Sequence, residues 1–283
     1  MPGRRLRTGF RLARRSLTVL RDHPRLAWFP VLAGVASVAY LAVLWASVLA
    51  VSAPSSTAAL VVTGCFYLGS TFIASACTAG LMYCTRQALD GETPRLRDGF
   101  RAAGRNVGPL LAWSLVSAIV GVLLRVIEGD DSPLSMVVAA LFSVAWSVLT
   151  LFVVPVVVFE DTGVVEMFTR SKETVVDTWG ESLGAIGGVG LVTIALGLLG
   201  AVPGVVVLWV IPQSVGSLGV LVLVVGVLLA ALVGQTLTGI AKTALYLYAT
   251  DEDAAEYFDD IDFGGGDGPR GRLSGFQNSG GVV

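Results

Sequence analysis

Gly180-Glu181-Ser182-Leu183-Gly184 fits G-x-S-x-G, the pattern that in serine hydrolases presents a nucleophile on a sharp strand-to-helix turn. That chemistry also needs a histidine to take the serine proton. The one histidine, His23, lies far upstream beside Pro24, and the flanks of Ser182 read as helix, so Ser182 is expected to cap a helix start instead. Metal chemistry fares no better, because one His and three Cys (Cys65, Cys77 and Cys84, all in one apolar segment) do not make up a transition-metal ligand set. A calcium loop starting at Asp251 would have Glu256 where glycine is needed, and one starting at Asp260 would have Gly271 where glutamate is needed. The phosphate-cradling G-x-x-x-x-G-K-[ST] motif is missing from the sequence. The expectation is a protein that is not an enzyme, with no catalytic residue, cofactor or metal, and with no nucleic-acid partner.

Two polar sets remain. Pro155 and Pro203 fall inside apolar runs, where each frees a backbone carbonyl, and with Gln235, Thr236 and Thr238 they form the candidate polar site within the membrane. Arg4, Arg5, Arg7, Arg11, Arg14 and Arg15 crowd an amphipathic segment whose Phe10, Leu17 and Leu20 can insert, the pattern of a helix that contacts anionic lipid headgroups. Arg125 and Glu128 are spaced for a helix-surface ion pair, and Lys242 is placed to snorkel from the inner end of a span.

The elements that carry these residues follow from hydropathy. Of 283 residues, 54% are hydrophobic and 14% charged, and the mean hydropathy is +0.76, against roughly 25% charged for a soluble domain. Between Arg25 and Arg86 lie 60 residues without a charge, and between Glu181 and Lys242 another 60. Each run is about 90 Å as helix, roughly three hydrocarbon thicknesses, so each must fold back. The breaks at 52–57, 125–133 and 211–214, with the charged segments at 86–105 and 160–181, divide the chain into six membrane helices, at about 26–51, 58–89, 107–124, 134–159, 183–210 and 215–248.

These pair as three hairpins, each preceded by a charged, Phe-led amphipathic segment: Gly9-Phe10-Arg11, Gly99-Phe100-Arg101 and Met167-Phe168-Thr169. The fold class expected is all-α, a polytopic membrane protein with an internal repeat. In the third segment Phe168, Val175 and Trp179 define the apolar face. Of 19 basic residues, 18 fall on one side of this arrangement and only Arg125 on the other, so the positive-inside rule puts both termini in the cytoplasm, in a multi-pass protein of the cell membrane. Residues 251–283, acidic and Gly-rich, are expected to be a disordered cytoplasmic tail whose Tyr257, Phe258, Phe263 and Phe276 could serve a protein partner.

Arg11-Leu12-Ala13-Arg14-Arg15-Ser16, Val19-Leu20-Arg21, Pro24 and Phe29-Pro30 resemble the N-terminal signature of an uncharacterised family of six-helix membrane proteins, a domain of unknown function from halophilic archaea and some bacteria. More distantly, the plan of surface helix plus hairpin looks like the membrane domain attached to some glycerophosphodiester phosphodiesterases. That likeness implies no catalytic residues. Two functions stay open: a non-enzymatic membrane scaffold or lipid-associated accessory component held on the anionic inner leaflet, and a small permease or exporter for an apolar or weakly polar solute.

Overall fold

The computed structural model describes residues 2–49, 56–128, 132–160, 163–177, 181–210 and 216–250. Among them the backbone is helical, in the order α1 (Pro2–Asp22), a 3-10 turn (Pro24–Ala27), α2 (Trp28–Leu49), α3 (Ser56–Leu89), α4 (Leu96–Arg105), α5 (Val107–Glu128), α6 (Pro133–Leu149), α7 (Val153–Phe159), α8 (Glu166–Asp177), α9 (Glu181–Val210) and α10 (Gly216–Ala249). Six helical stretches are long and apolar enough to cross a membrane: 24–49, 57–89, 107–127, 134–159, 187–209 and 218–248. The expected tail, 251–283, lies outside the described residues, as does Trp179.

Each span has a physical reason for its ends. Pro24 opens the turn that leads from α1 into α2, and Gly91, at φ 77, takes the left-handed conformation that lets the chain leave α3. Ser132 caps α6 by accepting from the Ser135 amide, with Pro133 at the first helical position. Helix α5 runs to Glu128, a turn beyond the expected 124, because Arg125 and Glu128 continue the helix.

The described residues divide into two compact units, one drawn from residues 2–22, 89–92 and 177–250, the other from residues 23–88 and 93–176. In the first, α1 packs on α9 and α10, which pack closely on each other. The buried face of α1 is Gly9, Leu12, Ala13, Ser16 and Val19, and the contact is close enough that a side chain at Gly188 would meet the Gly9 Cα at 2.6 Å. Gly200 of α9 lies against Gly226 of α10 in the same manner. In the second unit, Gly99 of α4 faces Gly80 of α3, and Phe29 of α2 packs on Phe100 of α4, ring centroids 5.3 Å apart.

The buried side chains of each unit gather where an amphipathic helix meets the ends of the spans. Leu12, Val19, Leu237 and Ile240 do so in the first unit, and Phe29, Met82, Phe152 and Met167 in the second. Mid-span side chains such as Val38, Trp45, Leu141, Leu198 and Leu228 are exposed. Such surface is unfavourable in water and favourable against lipid tails.

Candidate functional site

The fourth membrane helix, expected over 134–159, is interrupted between Leu149 and Val153. Pro155 supplies the cause: it has no N–H and its ring crowds the carbonyl four residues back, so the turn before it cannot keep regular helical bonding. The Leu151 amide bonds to the Val148 carbonyl (3.2 Å) and the Val153 amide to the Thr150 carbonyl (3.3 Å), each one residue short of the α-helical partner. That takes the Leu149 carbonyl and the Phe152 amide out of the regular α-helical pairing. Both are taken by one side chain, Ser171 of α8, whose hydroxyl donates to Leu149 O at 2.8 Å and accepts from Phe152 N at 3.2 Å.

Helix α8 is seated for this role. Met167, Ser171 and Val175, at i, i+4 and i+8, form its buried face, so Val175 lies where expected and Met167 takes the place of Phe168. Phe168 sits at the edge of that face against Trp113 of α5 (5.9 Å) and Trp146 of α6 (6.5 Å), which stack on each other at 6.0 Å. The Trp113 indole N–H donates to Ser75 Oγ of α3 at 3.0 Å, so this part-buried polar tip has its partner. At the far end of α7, Arg170 pairs with Glu160 at 2.7 Å and more loosely with Glu173 at 3.4 Å. Hydrogen bonding and charge from Glu160 raise the Arg170 pKa above its ordinary value, so the guanidinium is charged at any working pH. Arg86 of α3 lies over the Phe159 ring at 5.4 Å.

The other candidate polar residues belong to the other compact unit. Pro203, Gln235, Thr236 and Thr238 belong to α9 and α10, whereas Pro155 belongs to α7. Pro203 and Gln235 are exposed. The Thr236 and Thr238 hydroxyls each donate to a carbonyl of their own helix, Leu232 and Gly234, at 2.8 Å. Polarity located these positions in the sequence, but their hydroxyls are already used. Ser171 was the residue that sequence reasoning missed, although a serine on the apolar face of a helix, following a proline in a span, is the kind of signal that could have found it.

Among the arginines of α1, Arg11 and Arg14 are exposed and Arg15 is half-buried. The side chains of Arg4, Arg5 and Arg7 lie outside the described residues. Phe10 is 63% exposed and Leu17 and Leu20 are half-buried, so these three flank the protein-facing strip rather than form it. Ser182 stands in the first turn of α9, on a helix and not at a strand-to-helix turn. Among the described residues there is no group of three or more His, Cys, Asp or Glu side chains able to hold a metal ion.

No curated protein and no solved structure matches the chain. A family match begins in α3, so the arginine-rich lead from Arg11 to Pro30 lies outside it, and neither a halophilic source nor a likeness to phosphodiesterase membrane domains is shown. The match extends over residues 57–256, from α3 to beyond α10, and the chain belongs to that family, the family of unknown function DUF6159.

Proposed function

We propose that the protein is a non-enzymatic component of the cell membrane, a scaffold or lipid-associated accessory protein with both termini cytoplasmic and its basic helices against the anionic inner leaflet. The observation that carries this reading is the setting of α1. A glycine contact with α9 fixes the helix to its own unit, and Arg11, Arg14 and Arg21 remain exposed on the far side beside an exposed Phe10. A helix held in this way presents cations and one aromatic anchor at no cost in ordering, and each cation contributes on the order of 1 kcal/mol near an anionic surface.

The test uses the full chain in vesicles of mixed anionic and zwitterionic lipid, extracted with its surrounding lipid by a membrane-solubilising polymer. Anionic lipid should be enriched around the wild type at low salt, less so at high salt, and less around a variant with Arg11, Arg14 and Arg21 all changed to Gln. Equal enrichment around both proteins would remove lipid attraction as the role of this face.

A second reading, a small permease, has one feature in its favour, since interrupted membrane helices line substrate sites in transporters. The interruption before Pro155 is that kind of feature. Against it stands Ser171, whose hydroxyl already bonds the Leu149 carbonyl and the Phe152 amide at the interruption.

A further inference from the structure

Between Gly234 and Leu247, α10 is buried on nearly all sides, with Thr236, Leu237, Ile240, Ala241, Thr243 and Leu245 among the buried positions. Three positions stay open: Gln235 is exposed, and Thr238 and Lys242 are half-buried. At i, i+3 and i+7 they share one helix face. The open positions are thus the ones with a carboxamide, a hydroxyl and an ammonium, where a lipid-facing helix would ordinarily show aliphatic side chains. The Thr238 hydroxyl is committed to its own helix. Gln235 and Lys242 have no hydrogen-bond or acidic partner among the described residues. Further along the same face, toward the start of the helix, come Ala231, Leu228, Val224 and Leu221, all exposed and apolar. From Gln235 to Leu221 the face is about 21 Å long at the α-helical rise.

A cation and a carboxamide left unsatisfied within a span are costly unless something pairs with them. We propose that this face of α10 binds one anionic phospholipid, with its phosphate on the Lys242 ammonium, its ester carbonyls toward the Gln235 carboxamide, and an acyl chain along Leu228, Val224 and Leu221. Charge favours this occupant over a second copy of the chain. Two copies meeting on this face in the same membrane orientation would bring two Lys242 ammonium groups together, whereas a lipid supplies the counter-charge and the apolar length at once. The inference deepens the lipid-associated reading above but rests on residues separate from α1, so the two can fail independently.

The experiment is native mass spectrometry of the full protein in mild detergent, after exchange and titration with an anionic phospholipid, a zwitterionic phospholipid or inorganic phosphate. Wild type should retain one anionic lipid. K242M should weaken that binding by roughly fivefold to tenfold, the effect of one charge at a membrane surface, and K242R should keep it. Q235L, at an exposed position, should weaken it by a smaller factor and carries the test if K242M fails to fold. The R11Q, R14Q and R21Q changes should leave the retained lipid in place. The same lipid count in wild type and in every folded Lys242 or Gln235 variant would overturn the proposal. Displacement of the lipid by millimolar inorganic phosphate would make this a phosphate site and overturn the lipid assignment, and a dimer fraction that rises in K242M would assign the face to a second copy.

Discussion

At the scale of single residues, the side chain with the most to lose is Ser171. Replacing it by Ala removes a hydroxyl that bonds both the Leu149 carbonyl and the Phe152 amide in a buried place, which costs about 1–3 kcal/mol. Ser47 offers the contrast: its hydroxyl donates to Val43 O at 2.8 Å on an exposed face, and that carbonyl keeps its helical bond when the hydroxyl goes. Ser171→Ala should therefore lower the detergent-unfolding midpoint clearly, while Ser47→Ala should stay within about 0.5 kcal/mol of wild type. The Arg170–Glu160 pair is shorter but more exposed, with 48% of the Arg170 side chain open. Glu160→Gln should cost no more than about 1 kcal/mol, and a loss as large as that of Ser171→Ala would show that the pair, not the serine, secures α8. Pro155 was legible because proline announces its own backbone defect. Its remedy was not, because a serine gives the same signal whether it faces solvent, bonds its own helix as Thr236 does, or crosses to another.

At the scale of elements, charge and apolar spacing marked three charged segments but could not say what each packs on. Contacts supply that partner: α4 meets α2 and α3 through Phe100 and Gly99, α8 meets α5 and α6 through Phe168 and Ser171, and α1 meets α9 and α10. Two of these helices thus pack on the spans that precede them, whereas α1 packs on α9 and α10. Periodicity fixes which face of a helix is apolar and is silent on which of several apolar surfaces will receive it. The α1 contact is the most exposed to test. A side chain at Gly188 would collide with the Gly9 backbone, while one at Gly190 would meet no atom within 4 Å. Gly188→Leu should destabilise the seating of α1 by about 1–3 kcal/mol and speed tryptic cleavage within its arginine-rich sequence. Gly190→Leu should leave cleavage at the wild-type rate, and equal rates in all three proteins would mean that the glycine contact does not hold the helix.

At the scale of the whole molecule, the six spans were legible because 60-residue runs without charge leave a chain no choice but to fold back through an apolar medium. The division into units was not, since it joins the first 22 residues with those from 177 onward, and hydropathy carries no information about contacts between distant segments. Orientation is the largest claim that the charges support. Their distribution, eight Arg before α2 and one basic residue, Arg125, on the opposite side, is far steeper than a chance split. The measurement needs a cysteine-free background. Cys65 is exposed and can become Ala, whereas Cys84 is buried with its thiol donating to Arg95 O at 3.3 Å and is better replaced by Ser, which keeps the donor. Buried Cys77 takes Ala. A single cysteine at Ser55 should then react with an impermeant maleimide added outside intact cells, and one at Gly104, where a side chain meets no atom within 4 Å, should react only after the membrane is opened. The reverse pattern would invert the topology. It would also turn Arg11 and Arg14 away from the anionic inner leaflet, and with them the lipid-attraction argument for α1 would fall, because the field that attracts those cations belongs to the cytoplasmic surface.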